Sequence, residues 1–118
     1  MTRRTMADAP EFDLRPVGAG GHFRLDGHFG FDTASAILAR GNAEFARHPH
    51  VELDLSGVTT ADSAGLAVLL AWLERARCRG GTMRFTGLPR QIGAIAAISD
   101  VAPLLRGAES PAVGPPGA

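Results

Sequence analysis

An α/β fold, with a four-stranded mixed sheet and helices packed mainly on one face, follows from three features of this sequence. Segments with the two-residue alternation of strands interleave with segments that repeat apolar residues at helical spacing. Their order is strand, strand, helix, strand, helix, strand, helix. Only GAGG separates the first two strands, so they meet in a hairpin, whereas each later pair is joined through a helix and runs parallel with a right-handed crossover. The second and third strands alternate apolar with charged residues, which leaves one sheet face wet. At 118 residues the chain supports a single core.

The first strand is carried by EFDLRPV and the second by HFRLDG, where Phe23 and Leu25 alternate with Arg24 and Asp26. Asp32 and Thr33 offer a cap to a first helix, ASAILARGNAEFARH, with Ala34, Leu38, Gly41 and Phe45 on one stripe. Gly41 weakens that helix by about 1 kcal/mol relative to alanine, so close packing is expected there. HPHVELDLSG is the third strand: Val51, Leu53 and Leu55 alternate with Glu52 and Asp54, and Ser56-Gly57 ends it. After a short loop comes the central helix, from about Ser63 to Arg79, with Leu66, Leu69, Leu70 and Leu73 as its apolar stripe and CRGG at its close. TMRFTG is the fourth strand. LPRQIGAIAAIS is the third helix, opened near Pro89 and carrying Ile92, Ile95 and Ile98 on one side, and the apolar stretch VAPLL follows it. Residues 1–10 and 107–118 read as tails outside a domain of residues 11–106, since little apolar area is available in them for burial.

Composition removes several function classes. Twelve basic residues, all arginine, balance twelve acidic ones, so a nucleic-acid or membrane-surface role driven by net charge is not expected. Cys78 is the single cysteine, which rules out a disulfide framework or thiolate metal site and reads as a small packing residue. No run approaches the roughly twenty apolar residues that span a bilayer, and MTRRTMADAP lacks the apolar core of a signal peptide. A soluble cytoplasmic protein is the expectation. Without lysine no GxxxxGK phosphate loop exists, and GAGG, lying between strands, reads as a turn. His48 and His50 flank Pro49 with no evident third ligand, so exposed turn residues are expected there and no metal. Ser63 has Asp62 beside it but no histidine at a predictable distance, so neither catalysis nor a cofactor is expected.

The most specific local signal is Asp62-Ser63-Ala64-Gly65. One reading is a helix N-cap, in which the Asp62 or Ser63 oxygen accepts from an amide two or three residues on, worth ~1 kcal/mol. The other places an exposed serine hydroxyl at the positive end of the helix dipole, where a phosphate is favoured by unpaired amides. Both stay open on these residues. Further along the helix, Val68 and Trp72 point away from the leucine stripe, near Arg75 and Arg79. They read either as a protein-binding patch or as cover for the side of the core. Phe29 and Phe31 fall in the loop before the first helix and read either as loop packing or as exposed contacts; as packing, Phe31, preceding Asp32, is placed to staple that helix start.

VELDLSGVTTADSAGLAVLLAWL resembles the signature of the STAS domain, named for sulfate transporters and anti-sigma factor antagonists: a buried strand ending D-L-S-G-V, a short loop, then D-S/T-x-G-L opening a long helix. The resemblance covers roughly residues 12 to 105 and implies the STAS fold with a non-enzymatic role as switch or adaptor. In anti-sigma factor antagonists, a partner kinase phosphorylates the serine after the aspartate and so blocks partner binding; Ser63 and Asp62 match those positions. In the MlaB-like branch, the same position lies at the contact with the ATPase of a phospholipid-transporting ABC complex at the inner membrane. GHFGFDTA before the first helix, AWLERAR within the central helix and LPRQIGAIAAISDVAPLL are similar to segments of this second branch, while His28 departs from its usual acidic or apolar residue.

The resemblance therefore implies a cytoplasmic adaptor, held at the inner membrane through its ABC-transporter ATPase partner. Thr60, Asp62, Ser63, Ala64 and Gly65 would shape the contact loop, with Val68, Trp72 and Arg75 extending it. The alternative it implies is an antagonist phosphorylated at Ser63 that meets a kinase-like anti-sigma factor. Nucleotide binding at the loop before Ser63 is a weaker third reading that no residue requires. Neither nucleic acid nor membrane insertion is expected, and self-association stays open.

Overall fold

The computed structural model describes residues 11–18 and 20–108, so the expected tail 1–10 and residues 109–118 lie outside the described residues. Four strands, β1 (Phe12–Pro16), β2 (His22–Phe29), β3 (His50–Ala61) and β4 (Thr82–Thr86), form one sheet in the order β1-β2-β3-β4. β1 pairs antiparallel with β2, and β2–β3 and β3–β4 are parallel, as a hairpin followed by helical crossovers requires. The helices are α1 (Ala34–Phe45), α2 (Ser63–Cys78), α3 (Arg90–Ile98) and α4 (Ala102–Ala108). The mixed four-stranded α/β architecture agrees with the expectation from sequence. Helix α4 is the addition: VAPLL is too short to display a helical repeat, yet Leu105 anchors it in the core at 2% exposure. It also carries the fold past the expected boundary at residue 106.

Strand alternation sorts the sheet into two unlike faces. Leu14, Phe23, Leu25, Val51, Leu53, Leu55, Met83 and Phe85 are buried on one side and join the helices' apolar residues in a single cluster. The other side carries ion pairs within and between strands. Arg15 reaches Asp13 at 2.7 Å and Asp26 at 2.6 Å, and Arg24 reaches Asp26 at 2.8 Å and Asp54 at 3.1 Å. These arginines separate the carboxylates of Asp13 and Asp26, which the β1–β2 register sets directly opposite one another.

Strand β3 does not stop at Ser56-Gly57. The β2–β3 ladder shifts register between Arg24 and Asp26 and again between Gly27 and His28, and pairing then resumes with His28 opposite Thr60 and Phe29 opposite Ala61. Phe29, expected in a loop, is thus the last residue of β2 and fully buried.

The second correction concerns α2. Its buried residues are Gly65, Leu66, Val68, Leu69, Trp72 and Ala76, while Leu70 and Leu73 are only partly covered. A helix clasped by the sheet, α1 and α3 buries a wider arc than one stripe. Val68 and Trp72, at 4% and 2% exposure, therefore form no surface patch. Trp72 packs edge-on to Phe45 at 5.0 Å and stacks near Phe29 at 6.3 Å. Gly41 of α1 is what admits the indole, since a Cβ there would lie 2.3 Å from a ring carbon. In α3 the turn angle carries Ile98 about 120° round from Ile92, so Ile98 is 85% exposed and Ala96 is buried in its place. Cys78 is also exposed rather than a packing residue, its thiol donating to Glu74 at 3.4 Å.

Gly41→Ala gains helix propensity but overpacks a confined ring. It is expected to lower the melting midpoint by about 4–8 °C, a net loss of about 1 kcal/mol. Gly93→Ala in α3, where a Cβ meets nothing within 4 Å, should instead raise it, by about 0.5–1 kcal/mol in stability. Thermal denaturation followed by circular dichroism measures both.

Candidate functional site

Parallel pairing delivers the ends of β2 and β3 to the same edge of the sheet, and the chain turns into a helix after each. After β3 only Asp62 intervenes before α2, in extended conformation with φ −142°. Its carboxylate has two tasks. Oδ1 accepts from the Ala64 amide at 2.8 Å and caps α2, while Oδ2 accepts from the Phe31 amide at 3.0 Å and holds the turn after β2. Asp62 is thus the cap, and Ser63, the exposed first residue of α2, is left out of the capping hydrogen bond.

Close backbone approach makes this possible. A Cβ on Gly65 would come within 2.5 Å of the Phe29 carbonyl oxygen, and one on Gly30 within 2.7 Å of the Asp62 carboxylate. The start of α1 is built differently from expectation. Thr33 supplies no side-chain cap; its buried hydroxyl donates to the His28 carbonyl at 2.8 Å and accepts from the Gly30 amide at 3.1 Å. Thr60 lies exposed in the last turn of the ladder, its hydroxyl hydrogen-bonded to Nδ1 of His28.

These constraints push Phe31 outward. It is 82% exposed and staples nothing. Beside it an open groove runs between α1 and α2, lined by Ala34, Ser35 and Leu38 on one side and Ala64, Ala67 and Ala71 on the other. Val68 closes its floor. Of the residues singled out from sequence, Ala64 lines this groove and Asp62 bonds to Phe31 at its edge; the exposed Ser63 lies between them in the chain, Thr60 bonds to His28 on the neighbouring strand, and Gly65 is buried. Arg75 is exposed on the α2 face that carries Ala64 and Ala71, roughly 16 Å from Ala64 along the helix. Trp72 is in the core and does not belong to this surface. Of the two readings open for Phe31, the exposed one holds and the staple does not. The signal for it was topological: loops after adjacent parallel strands emerge side by side.

Asp62, like Asp26, Asp54 and Glu74, has a lowered pKa. The Phe31 amide foremost, then those of Ala64 and Gly65 and the nearby His28 imidazole, hold its carboxyl below the usual carboxylate range, against the opposing effect of burial. As for metals, His48 packs edge-on to Phe23 and His50 bonds Thr82 at 2.9 Å, so neither turns to form a chelating pair. Among the described residues one other group draws potential ligands together, Glu11, His28 and Asp32.

The model of a family described as "Mlab, STAS domain" matches residues 12–106. The chain belongs to the STAS domain family. A search of curated proteins finds no match. Among solved structures, an anti-sigma factor antagonist from Mycobacterium paratuberculosis superposes with a TM-score of 0.65 at 20% identity, over 89% of this chain and 91% of that one. The unphosphorylated anti-sigma factor antagonist SpoIIAA gives 0.63 at 12% identity, over 86% and 88%. A sulfate transporter family protein from Wolinella succinogenes gives 0.60 at 17%, over 80% of each chain. At these identities the likeness is one of fold.

Replacing Asp62 by alanine is expected to cost about 1–2 kcal/mol at neutral pH, because one side chain serves both a helix cap and a loop tie. The folded-state pKa lies below the unfolded one, so the stabilisation is complete above the ordinary carboxylate range and is lost as pH falls through the folded value. Denaturant melts of wild type and variant should therefore converge as pH drops below about 4.

Proposed function

We propose that this STAS domain is a non-enzymatic adaptor that docks on the ATPase subunit of a Mla-type phospholipid-transport ABC complex and supports its assembly or activity. The observation that carries the reading is the exposed Phe31 held beside Ser63 by Asp62, at the mouth of an apolar groove. An aromatic side chain that is 82% exposed on a rigid turn is a ready anchor for a partner. The alanine row of α2, facing Ala34 and Ser35 of α1, gives a partner element close access, and the exposed Arg75 extends the surface with a charge. Membership of the family described by the Mlab STAS domain supports the choice of an ATPase partner. Among the described residues no helix is long and apolar enough to cross a membrane, so on this reading the domain reaches the inner membrane from the cytoplasm through its partner.

A second reading is favoured by one observation. Ser63 is exposed at the N-terminus of α2 and relieved of capping, which suits a hydroxyl that accepts a phosphoryl group. This is the switch of an anti-sigma factor antagonist with a kinase-like partner, and the fold likeness to such antagonists is compatible with it.

In a titration of the ATPase subunit with the full chain, Ser63→Glu and Phe31→Ala are each expected to weaken binding at least ten-fold, about 1.4 kcal/mol. Neither should lower the melting midpoint: a carboxylate at a helix N-terminus is favoured by the dipole, and Phe31 is already in water. Unchanged affinity in both variants would remove the adaptor reading. Should a cognate kinase-like protein instead add one phosphate to wild type and none to Ser63→Ala, the switch would take its place.

A further inference from the structure

We propose that Glu11, His28 and Asp32 form a site for a divalent cation of the zinc class at the rim of the partner loop. Three separate segments contribute: the residue before β1, the strand β2, and the turn before α1. One ligand atom from each lies within 4.8 Å of the other two. The arrangement is tied down by the backbone, since the His28 amide donates to the Glu11 carbonyl at 2.8 Å. The imidazole is oriented from outside the triad. Thr60 Oγ1 engages Nδ1, which leaves Nε2 as the nitrogen for a metal. A second partner of this kind on a ligating histidine fixes its ring and tautomer.

The donor set decides the ion. Calcium and magnesium demand six or more oxygens, whereas one imidazole and two carboxylates leave a fourth position open, a pattern zinc accepts. Bonds of about 2.0–2.2 Å place ligand atoms roughly 3.4 Å apart, so the side chains draw inward by about 1 Å on binding. Glu11 and Asp32 are both exposed and make this adjustment by rotation. The ion neutralises two carboxylates that otherwise repel one another. Its ligand Asp32 directly follows Phe31, which lines the groove, so its binding stiffens that rim. The site does not depend on which partner occupies that groove.

The test is calorimetric titration of the full chain with zinc chloride at neutral pH, with the ring protons of the four histidines followed by NMR. The first equivalent is expected to perturb His28 before His22, His48 and His50. Glu11→Gln and Asp32→Asn, near-isosteric changes at exposed positions, should each weaken binding at least ten-fold and leave the melting curve of the metal-free protein unchanged. His48→Ala should leave the affinity as it was. The proposal is overturned if the first equivalent goes to His48 or His50, if the two carboxylate variants bind as tightly as wild type, or if no saturable binding occurs below millimolar zinc.

Discussion

Two backbone amides, one in the turn after β2 and one in the first turn of α2, share one carboxylate, and the arrangement at this edge of the sheet depends on that sharing. Asp62 accepts from Ala64 within its own helix and from Phe31 across the groove between strand ends. The first bond alone makes an ordinary cap. The second converts it into a tie between the β2–α1 and β3–α2 connections, which the parallel pairing of β2 and β3 has already set side by side. Removing burden from Ser63 and exposing Phe31 are both results of this tie. The hydroxyl is free because the neighbouring acid does the capping, and the aromatic ring points outward because its backbone is held inward.

Beneath that surface the packing is unforgiving. Trp72 lies across Gly41, with Phe45 at its edge and Phe29 stacked nearby, so the α1–α2 spacing is set by a ring against a bare backbone. Along the seam between the helices Ala34, Ser35, Ala64, Ala67 and Ala71 are small, and with Leu38 and Phe31 they line a groove where larger side chains would form a ridge. The core thereby shapes the surface: Val68 is at once a core residue and the groove floor.

Much of this was legible in the residues. Alternation and a short GAGG connection were enough for the mixed sheet, and Gly41 correctly announced a close approach. What escaped has physical reasons. Ser56-Gly57 looks like a strand end, but paired register shifts absorb it and let β3 run to Ala61. Val68 and Trp72 looked lateral because a single leucine stripe was taken to define the buried side, while three neighbours surround α2. Phe31 satisfied the pattern of a hydrophobic staple, yet its outward direction follows from a hydrogen bond to a residue thirty-one positions away. Both Asp62 and Ser63 suit the local pattern of a cap, and the extended backbone of Asp62 with its bond to the Ala64 amide assigns the task. Local rules name the candidates; only the tertiary pairing assigns their tasks.

Trp72 has a further use. It is the single tryptophan of the chain and the chain has no tyrosine, so near-ultraviolet emission comes from one buried indole. That indole lies one helical turn beyond Val68, under the groove, with its Nε1 lacking a hydrogen-bond partner among the described residues. The molecule therefore carries an unlabelled optical reporter in the core between α1 and α2, sensitive to their spacing.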